Sequence, residues 1–123
     1  MPWTEALIAS KSDDILPEDE GRILNYADAL KEALDLALGL DPNVIVLGQG
    51  VNDPKGMFGV TTGLYKKFGL PRVFDTPLSE EGLTGISTGA AMNGLRPVYL
   101  HNRPDFILMA FNQIVSHASK IHF

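Results

Sequence analysis

Three short apolar runs, separated by stretches with helical spacing, constrain the fold of this chain most strongly. The runs are Val44–Leu47, Arg72–Phe74 and Pro97–Leu100. The first is continuously apolar and rich in β-branched residues, which is typical of a strand covered on both faces of a parallel sheet. Alternation of such strands with helices predicts an α/β layered domain with a parallel sheet.

The stretches between these runs carry helix patterns and helix stop signals. Asp41-Pro42 closes the first long pattern, and Gly94 follows the second. The last pattern runs to the final residue without a stop signal, so we expect the chain to be part of a longer protein. The predicted helices are Ile23–Leu40, Thr61–Phe68, Glu80–Asn93 and Asp105–Phe123.

Length and composition predict one soluble domain. The 123 residues suffice for one packed core, which we place at residues 22–123, and residues 1–21 read as an irregular N-terminal arm anchored by Trp3. A net charge of -5 argues against a nucleic-acid partner. The chain has no Cys, and it shows neither a signal peptide nor an apolar run of membrane-spanning length, so we expect a cytoplasmic protein without a membrane partner.

The span from Asp75 to Leu95 is the most informative part of the sequence for function. It runs from a strand through a Pro-containing turn into a helix rich in small residues, which predicts that Glu80 or Glu81 lies at the mouth of the sheet. By residue type alone, Ser79 and the two acids are more often an ordinary helix start, with Ser as the cap and the acids favoured by the helix dipole.

Several stretches in order resemble one family of enzyme domains. They are NYADALKEALD, VIVLGQGV, GLYKKFG, RVFDTPLSEEGLTGISTGAAMNGLRPV and DFILMAFNQIVSHASK, which together span about residues 22–122. They resemble the transketolase-type pyrimidine-binding domain of thiamine diphosphate enzymes, and most of all the beta subunit of the 2-oxo acid (pyruvate) dehydrogenase first component. The resemblance implies a three-layer α/β/α fold with a mainly parallel sheet.

The resemblance assigns the catalytic role to Glu80. In this family a glutamate at that position bonds a nitrogen of the cofactor's pyrimidine ring, stabilises the imino tautomer and so helps to remove the thiazolium proton. A carboxyl group that shares a proton near neutral pH needs dry surroundings, whereas a helix N-terminus favours the carboxylate. We therefore expect a partner surface to bury Glu80, and we expect Glu81 to stay solvated.

The resemblance also implies further contacts to the cofactor and the substrate. Phe106 matches the aromatic residue that stacks on the pyrimidine, although an aromatic residue on an apolar helical face is by default part of the core. Leu78 and Asn102 match positions near the same ring. The segment HNRPDF differs from the aromatic-rich segment of pyruvate dehydrogenases, so His101 or Arg103 is a candidate contact for a substrate acid.

Other features that the resemblance implies concern the partners. Relatives hold the cofactor diphosphate through Mg²⁺ with a GDG motif in a separate domain, and this chain has no GDG motif. It is therefore expected to supply half of a cofactor site and to need a diphosphate-binding alpha-type subunit or domain. Gly85 and Gly89 allow close helix packing, either within the chain or in a homodimer of pyrimidine domains. Gln49 and Gly50 stand where dehydrogenases usually carry two acids.

Three functions compete at this point. The first is a component of a thiamine diphosphate enzyme that acts on a 2-oxo acid or transfers two carbons, as an oxidoreductase or a transferase. The second is a non-catalytic assembly domain of the same fold. The third, a dinucleotide-binding unit, is disfavoured because Asp53 replaces the third glycine of the fingerprint. No protein-borne metal site is expected, since His117 and His122 do not share a helix face.

Overall fold

The computed structural model describes residues 23–121. The predicted arm at residues 1–21, Trp3 and His122 lie outside these described residues. The regular elements are the helices α1 (Tyr26–Leu40), α2 (Leu64–Phe68) and α3 (Glu80–Met92) and the strands β1 (Val44–Gly48), β2 (Val73–Asp75) and β3 (Arg96–Leu100), with a 3₁₀ turn at Met57–Gly59. No helix within these residues is long and apolar enough to cross a membrane.

The three strands form one parallel sheet in the order β2-β1-β3. Val46 of β1 lies beside Val73 of β2 and Val98 of β3, so the sheet is in register through the middle of the central strand. Each connection between parallel strands contains a helix, as a parallel crossover requires. The predicted α/β class with a parallel sheet is confirmed.

The hydrophobic core lies on one face of the sheet. Alternate residues of a strand point to opposite faces, and Val44, Val46 and Val73 point to the face covered by α1 and α2. Leu38 of α1 and Leu64 of α2 complete this core, and both side chains are buried. The opposite face of the sheet, which carries Leu47, Pro97 and Tyr99, is the side on which α3 packs.

Helix α1 begins three residues later than the apolar periodicity predicts. The side chain of Asn25 accepts a hydrogen bond from the backbone amide of Asp28 and so caps the first turn. Ile23 lies before this cap and is 97% exposed. The helix ends at Leu40, where the pattern predicts. The short helix α2 also starts late, because Gly63 adopts a left-handed conformation with φ 80°.

The segment after β3 is helical in a less regular way than predicted. Residues Pro104–Ala110 form a 3₁₀ helix and Gln113–Ala118 a π-helical segment, both packed against α3. Because 3₁₀ and π turns rotate side chains differently from an α-helix, the apolar side chains of this segment do not all lie on one face. Ala110 is fully buried, whereas Met109 is 68% exposed.

Candidate functional site

The carboxyl end of β1 approaches β3 closely at Gly48. A Cβ atom at this glycine would lie 2.7 Å from the carbonyl oxygen of Leu100, so only glycine fits without a backbone shift. The loop that follows is tied to β2 because Asp75 accepts hydrogen bonds from the backbone amides of Gly50, at 2.6 Å, and Thr76, at 3.0 Å. The carboxyl ends of all three strands therefore meet at one edge of the sheet, where open α/β sheets bind ligands.

Glu80 is the first residue of α3 and stands at this carboxyl edge. Its side chain is half-buried, whereas that of Glu81 is exposed. Glu81 accepts a hydrogen bond of 3.2 Å from the Asn112 amide, so it is exposed as expected but bonded to the segment after β3. The predicted Ser79 cap is not formed, because the Ser79 side chain makes no hydrogen bond to the helix amides.

Tyr99 and His101 form a ring pair at the end of β3. They are two residues apart in extended backbone and so point to the same side, with ring centroids 4.4 Å apart and planes tilted by 55°. The Nδ1 atom of His101 is buried and has no hydrogen-bond partner among residues 23–121. A buried ring nitrogen without a partner is costly, and it is available to a bound molecule or to a partner chain.

The charge of Glu80 acts on both rings. Burial, with a smaller contribution from the Glu80 carboxylate, raises the pKa of the Tyr99 phenol above its ordinary value. Burial also lowers the pKa of His101, and the Glu80 carboxylate offsets only part of that shift. At neutral pH, His101 is therefore a neutral imidazole and Tyr99 is a protonated phenol, and both lie within the field of Glu80.

The other predicted contacts are spread along the same edge. Asn102 is half-buried and its amide donates a long hydrogen bond of 3.4 Å to the Gln49 side chain. Phe106 is half-buried in the 3₁₀ helix that follows. Arg103 is exposed, and Leu78 is 67% exposed in the turn before α3. The carboxyl edge thus carries Asn102, His101 and Glu80. On its solvent-exposed side lie Leu78 and Arg103.

A shallow groove runs from this edge between α3 and β3. Its walls are small or apolar, with Thr84, Ser87 and Ala91 on the helix side and Pro97 and Tyr99 on the strand side. The hydroxyl oxygens of Thr84 and Ser87 are buried and lack partners in the part of the chain that the structure describes. The groove therefore has unpaired polar atoms in otherwise apolar walls.

The glycines of α3 differ in what they face. A Cβ atom at Gly85 would lie 3.1 Å from the side-chain oxygen of Gln113, so Gly85 allows the last helical segment to pack closely. At Gly89 nothing lies within 4 Å of such an atom. Close packing within the chain therefore explains Gly85 and leaves Gly89 facing open space.

Sequence reasoning did not single out Tyr99 or the bond made by Gln49. The signal for Tyr99 was the period of two along a strand, which puts residue 99 on the same side as His101. The bond between Gln49 and Asn102 joins two strand ends that are far apart in sequence, so no local pattern indicates it. Within the described range, no group of three or more His, Asp or Glu side chains is arranged to hold a metal ion.

Comparison with known proteins settles the family. Residues 23–123 match the family model described as the transketolase pyrimidine binding domain. The chain belongs to this family. The match covers the sheet, the three helices and the site at the carboxyl edge, and it confirms the resemblance drawn from the sequence motifs.

Curated relatives agree with this assignment. The chain is 44% identical over 101 residues to the 2-oxoisovalerate dehydrogenase subunit beta of Bacillus subtilis, covering 82% of this chain and 31% of the relative. It is 43% identical over 96 residues to the pyruvate dehydrogenase E1 component subunit beta of Chaetosphaeridium globosum, covering 78% and 29%. A chloroplastic beta-3 subunit of pyruvate dehydrogenase from Arabidopsis thaliana is 42% identical over 120 residues, covering 98% and 29%. The chain thus spans about a third of the length of these relatives.

Proposed function

We propose that this chain is the pyrimidine-binding half of a thiamine diphosphate-dependent enzyme that acts on a 2-oxo acid. The observation that carries the proposal is the position of Glu80, half-buried at the first turn of α3 and at the carboxyl edge of a pyrimidine-domain sheet. In this proposal Glu80 is the catalytic residue, and it holds the proton that it shares with a nitrogen of the cofactor's pyrimidine ring.

The residues around Glu80 fit a flat heterocycle with polar edges. A carboxylate, a carboxamide and a buried ring nitrogen without a partner can bond the edge of such a ring, and Phe106 is a candidate for stacking on its face. Leu78 and Asn102 complete the proposed contacts. When bound, the cofactor supplies carbanion chemistry at its thiazolium carbon, and the protein supplies orientation and a proton partner.

The proposal requires a second protein surface. We propose that a diphosphate-binding alpha-type subunit or domain holds Mg²⁺ and the cofactor diphosphate, and that pyrimidine domains pair as a homodimer in the cytoplasm. Leu78 and Arg103 are exposed in this chain, and a partner that covers the carboxyl edge would bury both together with Glu80. The domain would extend over residues 22–123, with residues 1–21 as an arm, and the isolated chain would be inactive.

The substrate is proposed to be an acid with a 2-oxo group. Arg103 presents an exposed guanidinium beside the site, and a guanidinium pairs well with a carboxylate through two parallel hydrogen bonds. His101 can donate one further hydrogen bond from its neutral ring. Two-carbon transfer from a ketose-like donor uses the same carbanion chemistry and is the alternative reaction for this site.

Substitution of Glu80 tests the catalytic proposal. In the complete enzyme with its partner, Glu80→Gln is expected to slow deuterium exchange at the thiazolium carbon by about 10²–10⁴-fold, because the amide cannot take up the proton. The matched control is Glu81→Gln, which changes the neighbouring exposed acid and is expected to leave the exchange rate within about twofold. Equal exchange rates in wild type and Glu80→Gln would refute the role of Glu80.

A non-catalytic assembly domain is the second candidate, because α3 presents an open face. Ile86 is 64% and Met92 61% exposed, and Gly89 faces open space. Titration of thiamine diphosphate and Mg²⁺ into the protein, with and without a diphosphate-binding partner, separates the two functions. Binding only in the mixture is expected for the enzyme component, whereas complex formation without cofactor binding would favour the assembly domain.

A further inference from the structure

Gln49 follows the end of β1 between two backbone positions that other strands hold in place. On one side, Gly48 packs so closely on β3 that a Cβ atom there would lie 2.7 Å from the carbonyl oxygen of Leu100. On the other side, the backbone amide of Gly50 donates a hydrogen bond of 2.6 Å to the Asp75 carboxylate. The half-buried side chain of Gln49 therefore starts from a backbone with little freedom to move.

Asn102 lies outside the strands and helices, in a bend between β3 and the 3₁₀ helix at Pro104–Ala110. Within residues 23–121 its side chain makes one hydrogen bond, in which Nδ2 donates to Oε1 of Gln49 at 3.4 Å. A carboxamide has its donor on one arm and its acceptor on the other, so the arm that faces Gln49 decides which arm faces a ligand. With Nδ2 toward Gln49, Asn102 presents the Oδ1 acceptor.

The length of this hydrogen bond limits what it contributes. At 3.4 Å it is weaker than a bond at the usual distance of about 2.9 Å, so it adds little to the stability of the fold. The two orientations of a carboxamide have nearly the same shape, so a weak bond is enough to favour one of them. The bond between Gln49 and Asn102 is thus suited to setting an orientation.

We propose that Gln49 is a positioning residue that turns the Oδ1 atom of Asn102 toward the bound pyrimidine, where it accepts a hydrogen bond from the exocyclic amino group of the ring. This inference rests on the proposed function, in which Asn102 and Glu80 contact the pyrimidine of thiamine diphosphate. Glu80 recognises a ring nitrogen and Asn102 recognises the amino group, so two groups of the chain contact two positions of the ring. Gln49 acts through Asn102 and does not touch the ligand.

The consequence is selectivity for an amino group over an oxo group at that position of the ring. An amino group donates to the Oδ1 atom of Asn102, whereas an oxo group has no proton and would leave two acceptors facing each other. With Asn102 turned the other way, Nδ2 would face the ring, and the preference for the amino group would be lost. The residue at position 49 thus sets which of the two rings the site prefers.

The experiment compares two ligands in the complete enzyme with its partner and Mg²⁺. Calorimetry measures the dissociation constants of thiamine diphosphate and of oxythiamine diphosphate, which carries an oxo group in place of the amino group. Because both ligands carry the same diphosphate, the ratio of the two constants cancels changes in the charge of the site. Gln49→Lys, which offers Asn102 only donors, is expected to reduce the preference for thiamine diphosphate about tenfold. Gln49→Met, which offers neither donor nor strong acceptor, is expected to reduce it about threefold.

Two controls keep either the charge or the acceptor. Asn52→Lys puts the same charge three residues further along the loop and is expected to leave the ratio within about twofold of wild type. Gln49→Glu keeps an acceptor toward Asn102 and is expected to keep the ratio as well. An unchanged ratio in Gln49→Lys and Gln49→Met, or an equal fall in Gln49→Glu, would overturn the role of Gln49.

A second background shows whether Gln49 acts through Asn102. The carboxylate in Asn102→Asp has an acceptor on both arms, so its orientation no longer matters, and adding Gln49→Lys is expected to leave the ratio within about twofold. A tenfold fall in this double variant would show that residue 49 acts on the ligand directly, and it would overturn the positioning role. Failure of the wild-type complete enzyme to bind thiamine diphosphate would instead overturn the proposed function on which the inference rests.

Discussion

Polar side chains at the amino and carboxyl edges of the parallel sheet differ in whether they have hydrogen-bond partners within the chain. At the amino edge, Arg72 donates hydrogen bonds to the carbonyl oxygens of Val44, Leu38 and Asp41, at 2.7, 3.0 and 2.8 Å. At the carboxyl edge, the buried polar atoms of Thr76 and His101 have no partners in the described part of the chain.

This difference indicates that the amino edge stabilises the fold and that the carboxyl edge is available for binding. Groups that are paired within the chain stabilise the fold, because breaking the pairing leaves buried carbonyl oxygens without donors. Groups that stay unpaired cost stability, and they persist where a ligand or a second protein can satisfy them. Substitutions at the two edges should therefore separate stability from cofactor chemistry.

The largest effect on stability is expected at Arg72. Replacement by Met keeps much of the side-chain volume but removes three charged hydrogen bonds, so the free energy of unfolding should fall by about 3 kcal/mol. Chemical denaturation measures this change. The control is Arg103→Met at the carboxyl edge, expected to change stability by less than about 0.5 kcal/mol. An equal loss of unfolding free energy in both variants would contradict the proposed difference between the two edges.

A smaller loss is expected at Gly48. The Cβ atom in Gly48→Ala would meet the Leu100 carbonyl oxygen at 2.7 Å, and separating the two strands should cost about 2 kcal/mol in thermal or chemical unfolding. Gly89→Ala is the matched control, because it adds the same atom to α3 in open space and should stabilise the protein by about 0.5 kcal/mol. Destabilisation by Gly89→Ala of the cofactor-free protein would contradict this account.

The ion pair at the amino edge should contribute less. Arg96 and Asp41 approach to 2.6 Å with side chains 37% and 15% exposed, so Asp41→Asn should lower the free energy of unfolding by about 1 kcal/mol. The comparison is the ion pair of Lys67 and Asp35, whose side chains are 58% and 37% exposed. Because this pair is more exposed, Asp35→Asn should lower the free energy of unfolding by about 0.3 kcal/mol. Added salt should reduce the second effect more than the first.

The smallest effect is a pH dependence of stability from His101. Because burial lowers the pKa of this ring in the folded protein, the unfolded chain binds the proton more tightly. The stability contributed by neutral His101 is therefore lost as the pH falls from about 6.5 through the folded-state pKa. His101→Asn should lose less stability than wild type between about pH 7 and about pH 5, measured by unfolding at each pH. If the free energy of unfolding had the same pH dependence in both proteins, burial would not shift the pKa of this ring.

Local patterns predicted most of the scaffold. The continuous apolar run at Val44–Leu47 indicated a strand covered on both faces, and Gly94 marked the end of α3, where it adopts φ 91°. The apolar periodicity did not predict the late start of α1, because the Asn25 cap determines where the first turn begins. The apolar periodicity also did not predict the 3₁₀ and π-helical segments after β3, since their packing against α3 overrides a periodic pattern there.

Local sequence patterns predicted only part of the candidate site. The motif around Glu80 carried the family resemblance, and the family match confirms that resemblance. The role of each site residue stays a prediction. Tyr99 was missed because an aromatic residue in a strand is most often part of the core, and only the ring contact at the strand end distinguishes it.

The sequence by itself determined the alternation of strands and helices and the family, because both depend on residue types at fixed local spacing. The tertiary structure alone decided that His101, Tyr99 and Glu80 act on one another and that Gln49 bonds Asn102. The hydrogen bond and the electrostatic effect of Glu80 both act between residues of separate elements. The physical reason is that burial and Coulomb interactions depend on distances in space, which the packing of α3 on β3 sets and the spacing along the chain does not.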